Sequence, residues 1–150
     1  MKSIKNHLFA FVVALGLAAG GFLHSSAAHA GALTDYAENK IVDALFRGQA
    51  LGAPATWYYA LYTVCPTDST AGTEVTGGSY ARVGVTASLA NFAGTQSAGS
   101  TTASSGTGGT TSNNGTVTFP TASGTWGTIA CWGLTDAASA GNIWVYTTVT

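Results

Sequence analysis

Only one stretch of this chain, Thr34 to Arg47, repeats its apolar residues with the period of an α-helix. Leu33, Ala37, Ile41 and Leu45 recur at four-residue spacing, and Val42 and Phe46 widen the stripe. Thr34 or Asp35 can cap the start, Glu38 falls in the first turn, and Gly48 is placed to stop the helix. Asp35, Asn39, Lys40 and Asp43 make the polar side. One short amphipathic helix cannot close a core alone, so its apolar stripe needs a sheet to pack on.

The rest of the sequence supplies that sheet. Thr56 to Val64 is rich in aromatic and branched residues and ends at Cys65-Pro66, where a proline stops the ladder. Tyr80 to Phe92 alternates: Ala81, Val83, Val85, Ala87 and Leu89 face one way, while Arg82, Thr86 and Ser88 face the other. Thr116 to Phe119, Trp126 to Leu134 and Ile143 to Val149 read as further strands, the last two joined through a polar turn opened by Asp136. Turns are marked by Pro66–Ser69, Gly77-Gly78 and Asn113-Asn114-Gly115. Between them lies a Gly/Ser/Thr tract, residues 94–112, too poor in apolar side chains to pack, which reads as a flexible loop or loosely paired ribbon. The expected fold class is mainly β, a single β-sandwich or open barrel over residues 31–150, with one N-terminal helix packed on it. The last strand runs to Thr150, and a bare ladder edge needs cover. Either residues are missing at the C-terminus or another subunit supplies the covering strand.

Residues 1–30 read as an export signal, with a retained membrane anchor as the alternative. Lys2 and Lys5 give a basic start, an apolar run follows from Leu8 to Leu23, and Ala28-His29-Ala30 is a small-x-small cleavage site before Gly31. All three histidines, His7, His24 and His29, lie in that leader. Cleavage would leave a domain without histidine, the commonest general base and metal ligand.

The remaining ionisable groups are few: Asp35, Glu38, Asp43, Asp68, Glu74 and Asp136 against Lys40, Arg47 and Arg82. No basic stripe suits nucleic acid. Without histidine a serine triad cannot be built, and no Gly-x-Ser-x-Gly elbow is present. Asp68 and Asp136 each sit beside turn residues, where a carboxylate caps local N–H groups. Glu74 can pair with Arg82 across the Gly77-Gly78 turn, and an exposed pair of that kind adds at most about 1 kcal/mol. The expectation is therefore a protein with no catalytic residues, no cofactor and no metal site.

Cys65 and Cys131 are the two cysteines. In an exported chain they suggest one bridge, whose long loop could contribute about 4 kcal/mol by chain entropy; the alternative is two buried free thiols. Aromatic residues are plentiful for so small a chain, and in alternating strands about half must point away from the core. Trp57, Trp126 and Trp144 read as core. Tyr58, Tyr62, Tyr80 and Trp132 are candidate surface-binding aromatics, able to stack on sugars or anchor a protein interface.

The run from Ala32 through Phe46, the segment Pro54 to Thr63 followed by Pro66-Thr67-Asp68, Gly72 to Val83, and Trp126-Gly127 with Gly133 to Ala137 together resemble small bacteriophage tail fibre or minor tail proteins. The similarity spans residues 32 to 150 in order. It implies a non-enzymatic, mainly β virion component whose partners are other subunits of a phage particle or further copies of itself. In the pattern of that family the chain begins with methionine where Gly31 stands here, members often continue past the final hairpin, and Cys65 and Cys131 are not cysteines. The alternative is a secreted carbohydrate- or cell-surface-binding module, with a host-surface glycan or protein as partner. Its location is then extracellular; otherwise it is the virion.

Overall fold

The computed structural model describes residues 32–95, 100, 102–105 and 109–149. The leader read over residues 1–30, with Ala28, Ala30 and Gly31, lies outside the described residues. In chain order the elements are β1 (Ala32–Leu33), α1 (Asp35–Phe46), β2 (Thr56–Val64), β3 (Thr73–Glu74), β4 (Val83–Thr86), β5 (Cys131–Thr135) and β6 (Ile143–Thr148). All strand pairs are antiparallel, in the order β1-β6-β5-β2 with β3 and β4 sharing the far side of β2. The mainly β class with one N-terminal helix is what the chain adopts. Among the described residues its strands form one open sheet, not two facing sheets or a closed barrel.

β2 is the longest strand and the hub of this sheet, pairing with β5 along one side and with β4 and then β3 along the other. β4 pairs with Thr56 through Tyr59, and β3 takes over at Tyr62 and Val64. On the other side Tyr58, Ala60 and Tyr62 stand opposite Thr135, Gly133 and Cys131. Those residues share one face; Tyr59, Leu61, Trp132, Leu134, Val145 and Thr147 share the other. Gly133 is required by close approach. A β-carbon there would lie 2.9 Å from the Val145 carbonyl oxygen and 3.2 Å from the Tyr62 ring.

The helix is pinned at its start. The Thr34 hydroxyl accepts from the Ala37 N–H as N-cap and donates to the Ile143 carbonyl, while the Thr34 N–H donates to the Trp144 carbonyl. Ala37 is fully buried, and Tyr36 packs edge-on against Trp144, which packs edge-on against Trp57. Arg47 closes the last turn onto the Asp43 carbonyl, and Gly48 turns the chain away with φ of +67°.

Several expected strands are shorter. Within Tyr80–Phe92 only β4 is a strand, because Tyr80 and Arg82 turn into a polar network and Ser88 starts a turn whose carbonyl accepts from Asn91 and Phe92. Thr116–Phe119 is not a strand; Phe119 stacks on Tyr80 at 6.2 Å instead. Trp126 to Ala130 stays outside β5, held where the Trp126 indole N–H donates to the Gly78 carbonyl. Residues 94–112 fall partly outside the described residues. Their base is closed by an isolated antiparallel bridge between Phe92 and Asn113. Within the chain the final strand finds cover at two of its residues, where β1 pairs with Val145 and Tyr146.

Candidate functional site

The face carrying Tyr58, Ala60 and Tyr62 is closed over by polar chemistry. Arg82 meets Glu74 through two parallel bonds, Nε to Oε1 at 2.8 Å and Nη2 to Oε2 at 2.6 Å. Its remaining nitrogen, Nη1, donates to the Ala137 and Ala140 carbonyls at 2.7 Å each and to the Thr135 hydroxyl at 3.0 Å. Tyr80 donates to Glu74 Oε1 at 2.9 Å and accepts from the Leu61 N–H at 2.9 Å. One guanidinium thus ties the β3 edge to the turn between β5 and β6. The pair expected on the surface is in fact largely enclosed, with the Arg82 side chain only 8% exposed. Burial pushes the Glu74 carboxyl up, but the hydrogen bonds from Arg82 and Tyr80 outweigh it and hold the group below its usual range.

The turn feeding this network is built for close approach. Gly77, Gly78 and Ser79 all have positive φ, and a β-carbon on Gly78 would lie 2.9 Å from the Trp126 ring. Cys65 and Cys131 form the disulfide, across a sequence separation of 66. Asp136 closes the β5–β6 turn, accepting from the Asn142 backbone and side chain and from the Trp144 indole. Asp68 accepts from the Tyr146 hydroxyl.

The four candidate binding aromatics separate. Tyr62 is 1% exposed and belongs to the core, because Gly133, diagonal to it on β5, leaves room for its ring to lie inward. Its hydroxyl is buried without a hydrogen-bond partner among the described residues, and burial first, then the charge of Glu74, pushes its pKa up to about 12. Tyr80 is spent on the network. Tyr58 is half-buried and lies over Gly84. Trp132 is the one on the opposite face, half-buried beside Tyr59, with ring centroids 5.6 Å apart and a tilt of 31°. Nothing local in the sequence marks Tyr59 for this face, because strand parity alone does not say which face is covered.

That opposite face holds a groove of about 420 Å³, with Tyr59, Trp132, Leu134 and Val145 along its floor. Phe92, Thr147 and the segment Thr111–Asn113 form its walls.

A second uncovered surface lies at the end of α1. Only the N-terminal half of the helix is pinned, and beyond it Val42, Leu45 and Phe46 are 48%, 70% and 81% exposed. Their i, i+3, i+4 spacing places them on one side of the helix. Asp43 and Arg47 beside them satisfy each other at 3.0 Å.

Among the described residues no cluster of His, Cys, Asp and Glu could hold a metal ion, and no helix is long and apolar enough to cross a membrane. Residues 32–150 match the family model described as podophage GP4 fiber I protein gp80. No curated protein matches the chain.

Proposed function

The chain belongs to this podophage fibre protein family, and from that premise we propose that it works without catalysis, by assembly and surface contact, joining further copies of itself through the end of α1. The observation that carries this reading is the Val42–Leu45–Phe46 patch, too apolar to be left in water without a use. A second copy fits it best. The patch has no charge of its own to be matched, its flanking charges are already paired, and i, i+3, i+4 ridges interlock with their like. Each large side chain buried there contributes about 1.5–3 kcal/mol. Sedimentation equilibrium over a wide concentration range tests it. The wild type should associate, and Leu45→Ser with Phe46→Ser should stay monomeric at the same concentrations. A monomeric wild type, or an oligomer untouched by both substitutions, would refute the reading.

The Cys65–Cys131 bridge supports a further element of the proposal: the chain passes through an oxidising compartment, delivered by residues 1–30 as a cleaved leader. Intact mass of protein from a bacterial periplasm should then begin at Gly31 and be lighter than its reduced form by two hydrogens. A full-length, reduced species confined to the cytoplasm would rule this out.

A further inference from the structure

We infer that the groove on the open face of the sheet is a binding site for a neutral glycan, with Tyr59 and Trp132 as the stacking platform. This does not rest on the assembly reading, since neither Leu45 nor Phe46 lines the groove.

The chemistry of the lining selects the ligand. Its floor presents two aromatic rings in contact, their centroids 5.6 Å apart and their planes tilted by 31°. The open face of such a ring receives the C–H face of a pyranose, as it would any flat ligand. The walls then narrow the choice, because apart from Phe92 they are polar and none of these residues is charged. Thr111, Ser112 and Asn113 stand on one side and Thr147 on the other. Asn113 Nδ2 donates to the Gly115 carbonyl, which leaves its amide oxygen to accept. The Thr111 hydroxyl donates to the Ala93 carbonyl, which likewise leaves its oxygen able to accept. A sugar offers a ring of hydroxyl donors around an apolar face, and this groove offers acceptors around an apolar floor.

Competing ligands fit less well. Among the described residues no Asp, Glu, Lys, Arg or His lines the groove, so a nucleotide or sialylated glycan would leave its charge unmatched. A purely apolar peptide would offer no donor to the Thr111 hydroxyl oxygen and the Asn113 amide oxygen. The volume of about 420 Å³ is within the range of small-molecule sites.

Saturation-transfer NMR on the whole protein tests the inference, with methyl glycosides of neutral hexoses, 6-deoxyhexoses and N-acetylhexosamines as probes and a glucuronide and a sialoside as anionic counterparts. At least one neutral probe should receive saturation, strongest at the protons of its C–H face, and the anionic probes should not. Trp132→Ala should weaken the transfer at least tenfold. Thr147→Lys, which places a long charged side chain on the wall without touching the core, should do the same while the melting temperature stays near wild type. Phe46→Ser should leave transfer intact, which separates this site from the assembly contact. Absence of transfer to every neutral probe, equal transfer to the anionic ones, or transfer that survives both groove substitutions would overturn the inference.

Discussion

Strand β2 sends alternate side chains to two faces that are finished in different ways. On one, Ala60 and Tyr62 are buried, and Arg82, Glu74 and Tyr80 form a closed polar network beside them, anchored on backbone carbonyls of the β5–β6 turn. On the other, Tyr59 and Trp132 stand half-buried over an uncharged groove. A chain with five basic and six acidic residues has few charges to place. It puts an enclosed bidentate pair where the fold must be held and leaves the open face to rings, hydroxyls and amides. Charge serves architecture here, while contact is left to apolar and neutral groups.

The most severe way to break this comparison is to remove the guanidinium. Arg82→Ala strands Glu74 beside a buried sheet face and frees two carbonyls, and should cost about 3–5 kcal/mol in urea unfolding. A loss below about 1 kcal/mol would mean the face is held by packing alone. Acid tests the same network from the other partner. The Glu74 pKa is lowered on folding, as is that of Asp136, where burial is outweighed by bonds from Asn142 and Trp144. Each group therefore adds stability above its unfolded pKa, and that stability is lost as pH falls through the lower folded value. The melting temperature should be level down to about pH 5 and drop below it. A rise on acidification would contradict the assignment.

On the open face the same kind of surgery should cost less. Trp132→Ala removes a half-buried ring, and about 1–2 kcal/mol of stability is expected to go with it. A loss matching that of Arg82→Ala would erase the distinction between the faces. The smallest effect is the sharpest: Tyr62→Phe deletes a buried hydroxyl that has no partner among the described residues. Its unfolding free energy should stay within about 1 kcal/mol of wild type or rise. A clear loss would reveal a partner for that hydroxyl, such as an internal water.

How far the sequence discloses this plan depends on how local each signal is. β2 spans Thr56–Val64 as the aromatic run and Cys65-Pro66 imply, and α1 follows its Thr34 cap and apolar stripe. β1 is invisible, since Ala32 and Leu33 become a strand only by pairing with β6. Tyr80–Phe92 alternates convincingly yet yields only Val83–Thr86. Side chains at its start are claimed by Glu74 and by groups more than fifty residues away, which no local pattern encodes. The Glu74–Arg82 pair is legible from its spacing; its enclosure by Ala137 and Ala140 is not. Alternation reads Tyr62 as a surface aromatic, yet it is buried, because alternation fixes which residues share a face but not which face is covered.

Hydroxyl-radical footprinting, read residue by residue by mass spectrometry, would compare the faces in a single measurement. At low protein concentration Phe46 and Leu45 should label fastest, Tyr59 and Trp132 more slowly, and Tyr62 and Trp144 least, in line with their burial. On raising the concentration, Leu45 and Phe46 should become protected while Trp132 does not. Labelling of Tyr62 as fast as Tyr59, or a Phe46 rate indifferent to concentration, would contradict the division into a closed face that holds the fold and open surfaces that make contacts.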